Sequence, residues 1–321
     1  MTEYAQNAEL AQDCARLTAN IARVIQGKDD VIRHVLVCLL AGGHLLIEDV
    51  PGTGKTSLAR ALAASIDLEW KRIQFTPDLL PSDVTGVWVY NQRESEFEFR
   101  QGPIFANIVL ADEINRASPK TQSALLEVME EHTVTTDVME YRVPTPFMVI
   151  ATQNPIDMEG TYALPEAQLD RFLMRISIGP LDPEAEVLVL RTQRDGATVG
   201  GLAPVLDGFQ LEKMLGQVKT IEVAPALEQY IVALAAHTRA ASEVRLGISP
   251  RGSLALVRAA RAAAATHGRP FVSPDDVKEM APLVFGHRML LHPEAELQGR
   301  TTGDVIARAL QSVPVPRAVS R

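Results

Sequence analysis

The eight residues DVPGTGKT, Asp49 to Thr56, bring two glycines, a proline, a lysine and a threonine together between an apolar run and a helix-like run. That mixture suits a loop wrapped around phosphate. Gly52 and Gly54 let successive backbone N–H groups turn inward, the following helix adds the positive end of its dipole, and Lys55 reaches the terminal phosphates. The Thr56 hydroxyl is placed to ligate Mg2+, and Thr53 and Ser57 are counted with the phosphate-binding set. Against the pattern G-x-x-x-x-G-K-[ST], the stretch matches at Gly54, Lys55 and Thr56 but carries Asp49 where the first glycine belongs. The competing reading is a glycine-rich turn with a surface lysine. The place of the stretch, after a buried run and before a helix, favours a nucleoside triphosphate.

A phosphate loop that works with Mg2+ needs a carboxylate for the metal. The run IVLADEIN sets Asp112 and Glu113 directly after an apolar segment. In such a pair the first acid holds the ion, usually through water, and the second polarises the attacking water. Taken alone the two acids could equally cap a helix. Asn154, after VIATQ, is expected to end a neighbouring strand close to the γ-phosphate and help position that water; otherwise it is a turn residue before Pro155.

These groups must be held by a scaffold. Two helices are expected between about Glu9 and Leu46, broken at QGKDD, with HLLIED ending in a short buried strand. SLARALAASI has apolar residues at helical spacing, and KRIQF, NIVLADE and FMVIATQNP have the length and character of strands. Strands alternating with helices make a parallel sheet whose functional groups gather at the carboxyl ends of the strands. Asp112, Glu113 and Asn154 would then lie side by side. Two hairpins interrupt this α/β pattern. In GVWVYNQRESEFEFRQG, Trp88 and Tyr90 face one way and Phe97 and Phe99 are placed to pair with them; TVTTDVMEYRV gives a weaker signal. The four aromatics either form an exposed contact surface or pack on the core beneath. From GPLDPEAE, with Asp182 as helix cap and Pro183 in the first turn, the chain reads as a linker and then a helical domain of about 130 residues. The domains expected are residues 1–181, an α/β core with its N-terminal helices, and residues 182–321, all helical.

Composition narrows the partners. The 321 residues are 46% hydrophobic, enough to bury a sizeable core, and the formal charge of −9 argues against a strong sequence-independent grip on nucleic acid. The longest apolar run, VLVCLLAGGHLLI, is too short to span a bilayer, and the polar start MTEYAQNAEL is unlike a signal peptide, which gives a cytoplasmic reading. Cys14 and Cys38 have no neighbours at metal-ligand spacing and read as buried free thiols rather than a disulfide.

The segments EDVPGTGKT, LADEINRASPKTQSALLEVMEE, IATQNPIDMEGTYALPEAQLDRFLMRI and LGISPRGSLALVRAARA together resemble the MoxR family of AAA+ ATPases, from about Val24 to the C-terminus. Asp49 in place of glycine is a form this family tolerates. The resemblance implies a P-loop AAA+ core with β-hairpin inserts followed by an all-α lid, assembled as a ring that is usually hexameric, with ATP and Mg2+ bound. It identifies Lys55 and Thr56 as Walker A, Asp112 and Glu113 as Walker B and Asn154 as sensor 1. Arg171 in LDRF matches the arginine finger, with Arg175 a nearby competitor. A guanidinium supplied by the next subunit would neutralise transition-state charge and make hydrolysis depend on assembly. Arg251 in SPRG matches sensor 2. Val24, Ile25 and Gly27 match the segment that packs on adenine, although helix-end packing would also explain them.

The function expected is a chaperone-like ATPase that couples hydrolysis to remodelling of protein clients. The resemblance suggests proteins with von Willebrand factor A domains among them. The alternatives are the ATPase subunit of a metal chelatase and a nucleic-acid-associated AAA+ motor.

Overall fold

The structure, a computed structural model, describes residues 3–50, 52–136, 139–154, 162–180, 183–184, 186–187 and 199–316, with side chains from residue 6 onward. Its centre is a five-stranded sheet in the order β2-β5-β8-β1-β9, every neighbouring pair parallel. The strands are β1 (Leu45–Glu48), β2 (Trp70–Gln74), β5 (Ile108–Asp112), β8 (Met148–Gln153) and β9 (Met174–Ile176). β1, β5 and β8 are buried along their length except at the carboxyl-terminal residue, the pattern of strands covered on both faces.

Helices α1 (Glu3–Ala22), α2 (Asp29–Leu40) and α3 (Lys55–Ser65) cover one face, and α5 (Pro119–Glu131) packs on the other. The short α4 (Pro81–Thr85) and α6 (Glu166–Leu169) lie in connections. The expected strands and helices are present. β9 is an addition: its three residues sit in the run RFLMRISI, too short for periodicity to separate from loop.

Both hairpins form. β3 (Gly86–Asn91) pairs with β4 (Glu96–Gln101) so that Trp88 stands opposite Phe99 and Tyr90 opposite Phe97; β6 (Thr133–Thr135) pairs with β7 (Glu140–Arg142). Gly86, at φ +108°, closes the first hairpin where a Cβ would collide with the Arg100 carbonyl, so only glycine fits. The two hairpins meet through their aromatics: Phe99 stacks on Tyr141 with ring centroids 4.4 Å apart, and Trp88 lies 6.5 Å from the same ring. Tyr90 and Phe97 pair with each other at 5.2 Å and stay 49% and 67% exposed. The two readings of this hairpin therefore divide along its length, packed at the base and open toward the tip.

The C-terminal part is helical, with Gly208–Thr220, Pro225–Ala240, Pro250–Thr266, Pro274–Phe285, Pro293–Leu297 and Thr302–Ser312. Two of these helices carry serine caps: Ser249 accepts the Gly252 N–H, and Ser273 exchanges side-chain and backbone hydrogen bonds with Asp276. A short antiparallel ladder, Val244–Leu246 with Leu290–Leu291, ties two of the connections. The expected cap Asp182 and the 181/182 boundary lie outside the described residues. One apolar cluster runs from α1, α2 and the sheet through Leu173, Met174 and Ile176 into lid residues such as Met280 and Phe285, so core and lid share packing. Cys14 and Cys38 are buried free thiols, and burial pushes the Cys14 pKa up to about 12. Among the described residues, no helix is long and apolar enough to cross a membrane.

Candidate functional site

The carboxyl edge of the sheet collects the expected groups. Because β8 lies between β5 and β1, Asn154, which follows β8, falls between Asp112 and Glu113 on one side and the phosphate loop on the other. In the loop, Gly52 and Gly54 both have φ +88°, and a Cβ built on either meets nothing within 4 Å. The left-handed backbone, not crowding, is what selects glycine here, and it leaves open room in front of the loop. Lys55 and Thr56 open α3. The Lys55 ammonium donates to the Asp49 carbonyl at 2.6 Å. Burial lowers its pKa from the ordinary lysine value, while the carboxylates of Asp49, Asp112 and Glu113 pull the other way. A cation poised over left-handed glycines at a helix start fits a polyphosphate. Thr53 Oγ1 turns back to the Val50 carbonyl at 3.4 Å, and Ser57 lies in the first turn of α3.

Asp49 explains why the first glycine of the general pattern is dispensable. Its carboxylate is buried and accepts the N–H groups of Val50 at 3.0 Å, Ile178 at 2.8 Å and Gly179 at 2.8 Å. The phosphate loop is thereby tied to the segment that leaves β9 toward the lid. Lys28 grips the same segment, donating to the carbonyls of Ile178 at 2.6 Å and Pro180 at 2.7 Å. The connection carrying Val24, Ile25 and Gly27 is thus brought beside the loop through residues 178–180. Ile25 is buried and Val24 packs against the same core, so helix-end packing accounts for both.

The acid pair is held by residues that the sequence reading missed. Thr152 on β8 donates to Asp112 Oδ1 at 2.6 Å and accepts the Glu113 N–H at 2.8 Å. Arg72 on β2 donates to Asp112 Oδ2 at 2.6 Å, and Gln74 donates to Glu113 Oε2 at 3.0 Å. Arg116 reaches the same Glu113 oxygen at 2.8 Å. Glu113 itself sits at φ +57°, a left-handed conformation that costs a non-glycine residue of order 1 kcal/mol and that its neighbours must enforce. The polar alternation of Arg72 and Gln74 in KRIQF was the available signal, since residues two apart share one face of a strand.

The arginines gather at the other edge. His44, just before β1, has Nε2 2.9 Å from the Met129 carbonyl, and its own carbonyl accepts the Leu173 N–H at 2.8 Å. The end of α5 and the turn before β9 therefore lie at the amino edge of the sheet. Glu130, next to Met129, pairs with Arg171 at 3.1 Å through one oxygen and with Arg251 at 3.1 Å through the other; Arg251 also lies 3.6 Å from Asp170. The four residues of β1 separate this cluster from the phosphate loop, roughly 13 Å of strand. Arg171 and Arg251 stand together, away from the loop of their own chain. Arg175 differs: it lies on β9 and pairs at 2.9 Å with Glu48, at the carboxyl end of β1. Arg171 also borders a groove of about 600 Å³ between α5 and the second hairpin.

An α/β sheet with this loop, this acid pair and a helical lid defines a nucleotide-hydrolysing class of protein, and the comparisons agree. Residues 44–174 match the model of the ATPase family associated with various cellular activities (AAA), and residues 236–309 match the AAA lid domain. The chain belongs to the MoxR family of AAA+ ATPases and is an ATP hydrolase. It is 41% identical to Chaperone MoxR1 of Mycobacterium tuberculosis, the match covering 94% of this chain and 82% of that one. It is 50% identical to the uncharacterized protein YeaC of Bacillus subtilis, over 92% and 93% of the two chains. A crystal structure from Cytophaga hutchinsonii, provisionally assigned as an ATPase, superposes with a TM-score of 0.91 at 37% identity over 98% of each chain.

Proposed function

We propose that this ATPase works as a ring, hexameric by the family pattern, in which each nucleotide is completed by two subunits and hydrolysis drives chaperone-like remodelling of protein clients. The observation that carries the reading is the separation of the two charge clusters. The phosphate loop and acid pair occupy the carboxyl edge of the sheet, whereas Arg171 and Arg251 sit together at the amino edge. A neighbouring copy presenting its amino edge would bring both arginines to the open loop. Arg175 reaches Glu48 at the carboxyl edge of its own sheet, whereas Arg171 stands at the amino edge, which favours Arg171 as the residue that crosses.

In this reading residues 1–181 bind the nucleotide and residues 182–321 form the lid. The backbone of Gly52, Thr53 and Gly54 and the side chain of Lys55 hold the phosphates, with Ser57 beside them, and Val24, Ile25 and Gly27 border the base. Thr56 and Asp112 would hold Mg2+, whose positive charge offsets the negative charge of the phosphates. Glu113 accepts a proton from the attacking water, and Asn154 orients that water. For these roles Lys55 must leave the Asp49 carbonyl, and Glu113 must turn from Gln74 and Arg116. Arg171 contributes its charge as the terminal phosphoryl group separates. The kinship with Chaperone MoxR1 supports protein clients, of which those with von Willebrand factor A domains are the first to try.

Glu113→Gln tests the reading twice. It should bind a fluorescent ATP analogue with near wild-type affinity while hydrolysing it at least 100-fold more slowly, and it should hold assembled rings and clients for identification by mass spectrometry. A monomeric chain with wild-type hydrolysis per subunit at all concentrations would rule out the shared site. Rings that retain no protein beyond the chain itself would count against the client role.

A further inference from the structure

One buried guanidinium connects the lid to the turn that carries Arg171. Arg288 follows the lid helix Pro274–Phe285, and its side chain is 4% exposed. Its Nε donates to Asp170 Oδ1 at 2.7 Å, one Nη donates to the Phe172 carbonyl at 2.6 Å and the Asp170 carbonyl at 3.3 Å, and the other donates to the Leu173 carbonyl at 3.0 Å. That second Nη also donates to Val284 within the lid. Arg171 lies inside the gripped stretch and extends to Glu130.

The chemistry of this contact is that of a clamp. A buried guanidinium is costly unless its fork of donors is satisfied, and here carbonyls and one carboxylate satisfy it from both sides. Lysine at the same place would keep the charge and lose the planar fork. Glu130 and Arg251 do not substitute for the grip, because they hold the tip of Arg171 and the side chain of Asp170, whereas Arg288 holds the backbone on either side.

We infer that Arg288 is a positioning residue for Arg171: the lid of each subunit sets where that subunit's arginine stands against the neighbour's nucleotide. The inference rests on the reading that Arg171 acts across an interface. A catalytic group displaced by about 1 Å loses on the order of 100-fold in rate, so loosening the turn should lower turnover and leave the distant phosphate loop intact.

The test uses full-length Lys55→Ala, Arg171→Ala, Arg288→Lys and Asp170→Asn chains, alone and in co-assembled pairs, with ATP hydrolysis and binding of a fluorescent ATP analogue as readouts. Arg288→Lys alone should lose at least tenfold in kcat and keep its nucleotide affinity within about twofold. Mixed with Lys55→Ala it should regain turnover, because an intact loop then meets an intact arginine. Mixed with Arg171→Ala it should regain none, since neither chain supplies a well-placed arginine. The opposite pattern would put the role of Arg288 at its own subunit's nucleotide and overturn the inference, as would an undiminished kcat or recovery with neither partner. Should Arg288→Lys fail to assemble, Asp170→Asn carries the same comparison and must show the same pattern. If Lys55→Ala and Arg171→Ala do not rescue each other, the across-interface reading itself fails, which distinguishes the two.

Discussion

Thr152 Oγ1 lies 2.6 Å from Asp112 Oδ1 and donates a hydrogen bond to that carboxylate while accepting the N–H of Glu113. One hydroxyl on a neighbouring strand thus orients the acid read as the metal ligand and pins the left-handed turn that presents the acid read as the base. Thr152→Val keeps the shape and removes the hydroxyl, leaving a part-buried N–H and a carboxylate oxygen short of a partner, at about 1–2 kcal/mol. We expect a lower melting temperature, at least a tenfold loss of kcat and nearly unchanged nucleotide affinity. Thr152→Ser should behave close to wild type. Equal rates for the valine and serine variants would show that the hydroxyl does not order the pair.

Asp49 provides a second test, because Asp49→Gly restores the general loop pattern and by that measure should be harmless. The structure predicts the reverse for stability. Glycine keeps the carbonyl that receives Lys55 but removes the carboxylate that receives Ile178 and Gly179. We expect nucleotide affinity within about tenfold of wild type, a melting temperature lower by several degrees and faster proteolysis near residue 180. A variant as stable and as protease-resistant as the parent would disprove the tie.

How much of this could be read from the sequence depends on how local each feature is. The phosphate loop, the acid pair and the hairpin pairing of Trp88 with Phe99 are set by residues within a few positions of one another, and motif and alternation expose them. The partners of the acids are not local. Gln74 reaches Glu113 only through the β2–β5 register, and Thr152 reaches Asp112 only because β8 lies beside β5. Glu130 is unremarkable in a helix with other acids until the fold brings Arg171 and Arg251 to its two oxygens. Asp49 looked like a departure from a motif, and its reason lies about 130 residues downstream at Ile178.

The buried histidine at the amino edge makes a pH prediction. His44 accepts the Val149 N–H at Nδ1, so the proton is on Nε2, which donates to Met129. Burial lowers its pKa to about 4, with His132 and Arg258 adding in the same direction against the Met129 carbonyl. The unfolded chain takes up a proton below about 6.5 and the folded chain does not, so stability falls as pH drops from 6.5 toward 4. The loss from this residue approaches about 3 kcal/mol at the lower end. His287, also lowered by burial, adds to the slope. Urea unfolding at pH 7.5 and 5.0 should show a clear decline for wild type and a shallower one for His44→Asn, which is less stable at pH 7.5 but has no proton to take up. Parallel slopes would remove His44 from the effect.

The first hairpin separates structure from contact within a single element. Phe99 stacks on Tyr141 and is partly buried, so Phe99→Ala should cost about 1–3 kcal/mol and disturb both hairpins together. Tyr90 and Phe97 touch mainly each other and remain open, so changing both to serine should leave the melting temperature and basal hydrolysis within error of the parent. Exposed paired aromatics on a projecting element are suited to contact with a partner. In a Glu113→Gln background, the double serine chain should therefore assemble normally and retain several-fold less client. Client retention equal to that of the Glu113→Gln parent, from rings of the same mass, would assign the tip no part in capture and move attention to the groove beside Arg171.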